Sequence, residues 1–419
     1  MNLRRVPVAL CVILLSAIAA HGDDWPCWRG PQGTGVSAET NVNPKALQGG
    51  AKILWNVNVG YGYSSVVVKG NHFFTVGGDP AQGIVFWCLD AATGEVVWKK
   101  VFDQGSRYDN AHTEAASTPL VDGDRVYGIA SDNILRCFRA ADGSIVWEKS
   151  LPADFELKKL GYQHYLSSSP VVEGNLLLLN CNTSGLALDK MSGSLVWRFD
   201  DPPGGMSSDA SPVAAEWDGR RCAFFFGPDV LNVVDPSTGR KLWSFKHGDT
   251  MAVGADPVIF GDKVFLSGEH LAAYLVPAGA DLKRVAGTGP RTYLSPPVLL
   301  DGLLFGTSME NFEELDPRAI AALHAPFVCV DWSTGQTRWQ RTTRYVSLAA
   351  AGDRLIMLEL NGMLRIAQAT PAEYTELSSA DVLAGAARPR FFAAPPVISN
   401  GLIYCRNFAG DLVCIDVRS

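Results

Sequence analysis

Residues that could bind a ligand are concentrated in the long polar segments between the apolar runs of this chain. Outside the N-terminal leader, five of the six histidines fall in such segments, and tyrosines and arginines lie near them. Imidazole, phenol and guanidinium groups suit an anionic, sugar-like or aromatic ligand, and histidine also suits a metal ion. Polar and aromatic side chains must occupy loops in any case, so a role without a ligand stays open. The candidate ligand-binding residues are His112, His164, His247, His270, His324, Tyr162, Tyr165, Arg107, Arg291 and Arg344.

Catalytic and metal motifs give a weaker signal than these polar segments. The sequence holds no local His-x-x-x-His, no Asp/Asn-rich loop and no Cys-x-x-Cys, so we expect no catalytic residues and no metal site. Eight cysteines follow the leader, and an even number permits disulfides in an oxidising compartment. Cys405 and Cys414 are symmetric about a turn at Ala409–Gly410, and cross-strand Cα separations of roughly 4.5–5.5 Å are compatible with a bond. We interpret this pair as a candidate disulfide.

The elements that would position these residues repeat along the chain. The phrase Asp-x-x-Thr-Gly-x-x-x-Trp, or a variant of it, ends at tryptophans that are 49, 50 and 46 residues apart from Trp98 to Trp243. A second phrase, typified by Ser168–Leu179, recurs eight times as an apolar run, a glycine turn and another apolar run, which predicts a hairpin. The first phrase is degraded around Tyr274–Arg284 and Ala367–Leu377.

Four antiparallel strands repeated eight times predict an all-β fold, an eight-bladed β-propeller of four-stranded antiparallel blades. Residues 51–418 give 46 residues per blade. The last repeat lacks its closing strand and Ile53–Val57 has the missing pattern, so we expect an N-terminal strand to complete the last blade and remove the open edges. We expect the repeated tryptophans to pack between adjacent blades as structural residues: Trp55, Trp98, Trp147, Trp197, Trp243 and Trp339.

The connections between strands divide the predicted propeller into two faces. Turns from first to second and from third to fourth strands are short, such as Glu173-Gly174-Asn175 and Thr238-Gly239, and their side is called the short-turn face. The candidate ligand-binding residues fall on the opposite side, where a rigid scaffold concentrates binding residues. This long-loop face contains residues 99–116, 148–167, 198–209, 244–254, 285–294, 308–326 and 377–392.

The N-terminal residues predict export. Arg4 and Arg5 precede an apolar run, Val6–Ala20, which ends in small residues, as in a cleavable signal peptide. We therefore assign residues 1–22 to a signal peptide, 23–50 to an N-terminal extension and 51–418 to the propeller, and expect a periplasmic or secreted product without a transmembrane anchor.

With 36 basic and 43 acidic residues the net charge is −7, which argues against nucleic-acid binding. We expect a monomer.

Both repeat phrases resemble the pyrrolo-quinoline-quinone (PQQ)-type β-propeller repeat family over about residues 51–418, and Trp25–Pro31 resembles the leader of its secreted members. The resemblance implies two activities. One branch contains quinoprotein dehydrogenases, which bind PQQ and calcium in the central funnel; the other contains non-enzymatic scaffolds, such as the lipoprotein of the outer-membrane β-barrel assembly machinery. This sequence lacks the adjacent cysteines of many dehydrogenases and a usable lipidation cysteine.

These observations favour an exported, non-catalytic binding or scaffold propeller whose long-loop face binds an envelope protein or a glycan, with no cofactor. The alternative is a PQQ- and calcium-dependent dehydrogenase of alcohols or sugars. A polysaccharide hydrolase or lyase would need paired carboxylates at the funnel mouth.

Overall fold

The computed structural model describes residues 24–79, 81–102, 116–157, 166–201, 208–248, 254–268, 270–292, 295–308, 324–383 and 394–418. The predicted signal peptide lies outside these residues. They form 33 strands, β1–β33, and one short helix, α1 (Leu151–Asp154). Within the described ranges, no helix has the length and apolar character needed to cross a membrane.

Eight four-stranded antiparallel units make up the fold. The bounds of the first four are as follows. Blade 1 contains β3 (Val67–Lys69), β4 (His72–Asp79), β5 (Gly83–Asp90) and β6 (Val96–Phe102). Blade 2 contains β7 (Leu120–Asp122), β8 (Arg125–Ile129), β9 (Ile134–Arg139) and β10 (Ile145–Ser150). Blade 3 contains β11 (Val171–Glu173), β12 (Leu176–Cys181), β13 (Ser184–Asp189) and β14 (Leu195–Asp200). Blade 4 contains β15 (Val213–Trp217), β16 (Arg220–Phe226), β17 (Val230–Val234) and β18 (Lys241–Lys246).

The second half of the ring has the same construction. Blade 5 contains β19 (Val258–Phe260), β20 (Lys263–Ser267), β21 (Ala272–Ala278) and β22 (Asp281–Val285). Blade 6 contains β23 (Val298–Leu300), β24 (Leu303–Thr307), β25 (His324–Asp331) and β26 (Gln336–Arg344). Blade 7 contains β27 (Val346–Ala351), β28 (Arg354–Glu359), β29 (Met363–Gln368) and β30 (Thr375–Asp381), with β1 (Val36–Ser37) added in parallel to β27. Blade 8 contains β31 (Val397–Ser399), β32 (Leu402–Arg406), β33 (Asp411–Asp416) and β2 (Ile53–Asn58).

The ring closes as the sequence predicts. Strand β2 pairs antiparallel with β33, with Trp55 opposite Cys414 and Asn58 opposite Asp411. A strand from the N-terminal end therefore completes the last blade, and the prediction of an all-β, eight-bladed propeller closed in this way is confirmed.

The predicted disulfide between Cys405 and Cys414 is wrong, because both residues are free thiols. The reason is register. Cys414 lies opposite Tyr404, and Cys405 lies opposite Val413. Since neighbouring residues of a strand point to opposite faces of its sheet, a displacement of one residue places the two sulfur atoms on opposite sides of blade 8.

Each repeated tryptophan follows a β-bulge in the fourth strand of its blade. The register shifts between Val96 and Trp98 in blade 1, and at the corresponding position in all described blades except blade 5. A bulge adds one residue and twists the strand locally. Blade 5 is one of the two repeats with a degraded phrase, and it has neither the tryptophan nor the bulge. Blade 7, the other degraded repeat, keeps the bulge.

The tryptophans contact the next blade around the ring. Five indole N–H groups donate to backbone carbonyls there: Trp55 to Ala91 (3.1 Å), Trp98 to Ala140 (2.8 Å), Trp197 to Pro236 (2.8 Å), Trp243 to Gly279 (3.1 Å) and Trp339 to Thr370 (2.8 Å). Trp147 packs on Gly193 of the next blade, where an added Cβ would lie 2.9 Å from the indole. The turn glycine therefore has two roles: it adopts positive φ and leaves room for the ring.

We expect Gly239→Ala to lower the free energy of unfolding by about 2–4 kcal/mol. The residue has φ +71°, and its new Cβ would lie 2.6 Å from the Trp197 ring, which adds overpacking to backbone strain. Gly261→Ala is the matched control, because Gly261 has φ +62° and nothing within 4 Å of its Cβ position. Denaturant unfolding should show a loss of only about 1 kcal/mol for the control. Equal losses of unfolding free energy in the two variants would mean that packing of Gly239 against Trp197 does not contribute to stability.

Candidate functional site

The first strands of the blades surround the centre of the propeller, and a chain of four hydrogen bonds joins blades 1 to 5 there. In blades 2 to 5, the residue that precedes the proline before the first strand carries a side chain that accepts from a backbone amide of the preceding blade. The Ser65 amide donates to Thr118 Oγ1 (2.9 Å), Thr118 to Ser169 Oγ (2.9 Å), Ser169 to Ser211 Oγ (3.0 Å), and Ser211 to Asp256 Oδ1 (2.7 Å). We call these five residues the girdle. They are all buried, so the bonds satisfy amides that would otherwise be unpaired at the centre of the propeller.

Asp256 is the one carboxylate in the girdle, and its second oxygen binds the N-terminal extension. Trp28 Nε1 donates to Asp256 Oδ2 (2.7 Å), and Arg29 Nη1 lies 4.0 Å from the same oxygen. Arg29 Nη2 also donates to the carbonyls of Thr34 (2.8 Å) and Pro297 (2.6 Å). Arg29 and Asp256 are only 5% and 3% exposed, so this ion pair is shielded from water.

Burial dominates the ionisation of this pair. It raises the pKa of Asp256 to about 6, against the opposing effects of Arg29, the Ser211 amide and Trp28. Burial also lowers the pKa of Arg29, while Asp256 acts in the other direction. Burial therefore moves the pKa of the Asp256 carboxyl well above its ordinary value of 3.8.

Residues 24–50, which we call the strap, run across the short-turn face from blade 1 to blade 8. Asp24 accepts from the Gly70 amide in a short turn of blade 1 (2.8 Å). At the other end, Glu39 accepts from the amides of Asn400 and Gly401 in the corresponding turn of blade 8, and the Asn43 amide donates to Val417 (2.8 Å). Together with the Asp256 contacts, these bonds fix the strap against both the first and the last blade.

Arg406 fastens the last blade to the first from inside the protein. Its guanidinium donates to the carbonyls of Ser64 and Val76, to Thr75 Oγ1 and to the Gly60 carbonyl, at 2.5–3.0 Å. The side chain is buried, and this burial lowers the pKa of Arg406 to about 9.

Half of the candidate ligand-binding residues fall in segments outside the described residues: His112, His164, Tyr162, Tyr165 and Arg107. Among the other five, His247 lies in blade 4, where its Nε2 is 3.1 Å from the Gly227 carbonyl and its ring packs on Phe226. His270 lies next to β21 in blade 5. These two histidines are on neighbouring blades.

The remaining three candidates come together at the loop end of blade 6. His324, which is exposed, begins β25 and pairs in register with Arg344 at the end of β26. The Arg291 amide donates to Ser308 Oγ (3.1 Å), and the Ser308 amide donates to the carbonyl of Pro326, two residues after His324. The structure therefore gathers one imidazole and two guanidinium-bearing residues at this part of the long-loop face.

Metal-binding and thiol chemistry receive little support from the described residues. Within those ranges, no three His, Cys, Asp or Glu side chains are grouped so that they could hold a metal ion. Burial raises the pKa of the cysteine thiols, for example to about 12 for Cys27, so they are poor nucleophiles at neutral pH. Cys27 is the least buried of the eight, and its thiol donates to the Gly30 carbonyl (2.8 Å).

Sequence reasoning missed the girdle and the Asp256 contacts with the strap. The signal was present in the hairpin phrase, where Thr118-Pro119, Ser169-Pro170 and Ser211-Pro212 recur before the first strand. Asp256-Pro257 departs from that hydroxyl pattern at the same position. A carboxylate in place of a hydroxyl indicates an additional partner, and that partner is the strap.

The eight blades, the repeated tryptophan and the closing N-terminal strand define a propeller of the PQQ-like repeat class. The sequence profile of one family in this class, described as "Outer membrane protein assembly factor BamB", matches residues 45–154 and 135–341, more than half of the chain. The chain belongs to this family. No curated protein matches its sequence.

Solved structures from both functional branches share the fold. BamB from Moraxella catarrhalis is 13% identical, with a TM-score of 0.60 over 87% of this chain and 97% of that one. Quinohemoprotein alcohol dehydrogenase from Comamonas testosteroni is also 13% identical, with a TM-score of 0.68 over 96% and 81%. A europium-containing methanol dehydrogenase is 10% identical, with a TM-score of 0.65 over 91% and 89%. At these identities the similarity concerns the fold alone.

Proposed function

We propose that this chain is an exported, non-catalytic scaffold or binding propeller of the periplasm or the exterior. Its long-loop face binds an envelope protein or a glycan. Membership in a family described as an outer membrane protein assembly factor supports this role. The cluster of His324, Arg344 and Arg291 at the loop end of blade 6 is the described part of the surface that we assign to it.

One observation carries the proposal: the girdle side chains are engaged in holding neighbouring blades and the strap together. The girdle bonds join five consecutive blades, and the free oxygen of Asp256 accepts from the strap. Groups used in this way stabilise a scaffold and are not aimed at a ligand at the centre of the propeller. We therefore assign partner binding to the loops of the long-loop face, because loops on a rigid scaffold tolerate sequence change and commonly carry binding residues.

A second candidate, a PQQ- and calcium-dependent dehydrogenase of alcohols or sugars, is favoured by the fold shared with the quinohemoprotein enzyme. Three buried charged residues, Arg29, Asp256 and Arg406, are not available to this cofactor pair. PQQ carries three carboxylates, but the buried guanidinium groups of Arg29 and Arg406 are bonded to backbone carbonyls, and Asp256 is shared by Ser211, Trp28 and Arg29. The residues present favour the scaffold.

The test is capture of envelope proteins and glycans by the purified chain, compared with a variant that carries His324→Ala and Arg344→Ala. We expect the double variant to lose its specific partner, because exposed His324 and half-buried Arg344 supply polar groups to that surface. Arg240→Ala, on the short-turn face beside Gly239, is the matched control and should keep the partner. Thermal unfolding with PQQ and calcium accompanies the capture. Equal capture by all three proteins, or a rise in Tm with quinone and calcium, would contradict the proposal.

A further inference from the structure

A cleft of about 260 Å³ lies beside the strap on the short-turn face. One wall is formed by the strap, including Trp28 and Pro31. The other is formed by the first strands of blades 2, 3 and 4, including Val121, Val172 and Ala214. The cleft is away from the long-loop face, and the proposed function does not use it.

The hydrogen-bonding direction of these first strands follows from their hairpins. In antiparallel pairs, residues that exchange bonds with the partner strand alternate with residues whose N–H and C=O point away from it. Asp122 and Arg125 form the closing pair of the two-residue turn in blade 2. The main-chain N–H and C=O of Val121, the residue just before Asp122, therefore point away from β8 and toward the centre of the propeller. The Val121 amide does so, donating to the Pro26 carbonyl of the strap (2.8 Å).

Val172 and Ala214 occupy the same outward position in blades 3 and 4. Val172 is next to the closing pair Glu173–Leu176, as Val121 is in blade 2. In blade 4 the closing pair is Trp217–Arg220, and bonded and non-bonded positions alternate from there along β15. Ala214 is three residues before Trp217, so its main-chain N–H and C=O also point away from β16. Both residues are half-buried and line the cleft, so their main-chain groups are within reach of a ligand.

The strap shows how such main-chain groups are paired. In blade 1 the Val68 amide donates to Trp25 O (2.8 Å) and Trp25 N donates back (2.9 Å). In blade 7 the Ala350 amide donates to Gly35 O (2.9 Å). The strap thus adds extended backbone to the inner edges of blades 1, 2 and 7. Between Pro26 and Gly35 it turns away toward Asp256, and the cleft lies where it leaves blades 3 and 4.

The charged side chains around the cleft already have partners. Arg221 forms two bonds with Glu173 (2.8 and 2.7 Å), Lys190 lies 2.6 Å from Asp122, and Asp256 binds Trp28. An additional charge would enter without a counter-ion, so these walls fit a neutral segment.

We propose that the cleft binds an extended, uncharged peptide segment of a partner protein, which adds a short strand to the inner edges of β11 and β15. Its main chain pairs with the N–H and C=O groups of Val172 and Ala214, as the strap pairs with Val68, Val121 and Ala350. Strand addition of this kind takes its affinity from main-chain bonds and its specificity from side-chain pockets.

The first measurement is amide hydrogen exchange in the free protein. Val172 and Ala214 should exchange at least about tenfold faster than Val121 and Ala350, whose amides the strap protects. Equal protection would mean that these edges are already paired, and would overturn the proposal.

The second measurement uses a capped peptide of alternating threonine and valine as the probe, with the same peptide N-methylated along its backbone as the control. The unmethylated probe should slow the exchange of Val172 and Ala214. Ala214→Pro should weaken its binding by about tenfold or more, because proline removes the donor at a position that makes no bond to β16. Ile259→Pro is the matched variant: Ile259 pairs with Val264 at the same outward position of blade 5, outside the cleft lining, and binding should be retained.

Three results would overturn the proposal: equal binding of the N-methylated peptide, equal loss with Ile259→Pro, or no binding of the probe up to about 1 mM. Val172→Pro replaces Ala214→Pro if the latter does not fold. Protection of Val172 and Ala214 by a neutral oligosaccharide instead of the peptide would also overturn it.

Discussion

Arg406→Met is expected to lower the free energy of unfolding by about 4 kcal/mol and to loosen the seam between the last and first blades. Arg406 supplies the donors for the carbonyls of Ser64 and Val76 and for Thr75 Oγ1. Methionine fills much of the same volume but donates nothing, and each buried acceptor left unpaired costs about 1–3 kcal/mol. Denaturant unfolding measures the loss, and amide exchange in β4 and β32 locates it.

Arg136→Met is the control for this prediction. Arg136 is as buried as Arg406, but its ion-pair partners, Asp132 and Glu148, belong to its own blade. It should destabilise blade 2 without increasing exchange at the seam. If both variants loosened the seam to the same extent, Arg406 would not be what fastens it.

Asp256→Ala is expected to release the strap and to cost about 3–5 kcal/mol at neutral pH, because it leaves Arg29 buried without its carboxylate. Release is measured by the reaction of Cys27 with a thiol reagent under native conditions. The other seven cysteines are buried, and Cys27 is held by its bond to Gly30. We expect its reaction to become at least about tenfold faster as the strap opens more often.

Asp256→Ser separates the two roles of this residue. Serine restores the hydroxyl of the other girdle positions and can still accept from the Ser211 amide, but it has no second oxygen for Trp28. Stability should recover in part, while Cys27 stays as reactive as in Asp256→Ala. An unchanged Cys27 rate in the serine variant would show that the carboxylate does not hold the strap.

The effect of Asp256→Ala should also depend on pH. The pKa of Asp256 is raised to about 6 in the folded protein, from an ordinary value of 3.8. The folded state therefore binds a proton more readily than the unfolded state, and this contribution to stability is complete below pH 4 and lost as the pH rises through 6. The difference in unfolding free energy between wild type and Asp256→Ala should be larger at pH 4 than at pH 8, by about 3 kcal/mol. A constant difference would contradict the raised pKa.

The fold was predictable because its signals are local and repeated. Each blade carries a hairpin phrase and most blades also carry the turn phrase within about 46 residues, so Trp98 and Trp243 mark the same position in different units. The closing strand at Ile53 was recognisable as the part that the last repeat lacked. The disulfide prediction failed because symmetry about a turn does not determine register, and one residue of offset moved Cys405 to the opposite face.

The strap and its contacts could not be predicted in the same way. It pairs once with each of several blades, so it has no period, and Trp28 meets Asp256 across 228 positions of sequence. The recurring Ser/Thr-Pro pairs could have indicated the girdle, but the function of a repeated hydroxyl becomes visible only when neighbouring blades are placed side by side. The candidates at His324 and Arg344 came together because one hairpin joins them, which is a local relationship.

The strap also affects the order in which the molecule can be assembled. Its residues are synthesised before the blades that they contact, and Glu39 finds its partner at Gly401, 362 positions later; just after the strap, Lys52 reaches Asp416 across 364 positions. The N-terminal segment must therefore wait for nearly the whole polypeptide before its bonds can form. Contacts this distant slow folding and prolong the exposure of unpaired edges, so the final closure is the stage at which a folding helper would have the greatest effect.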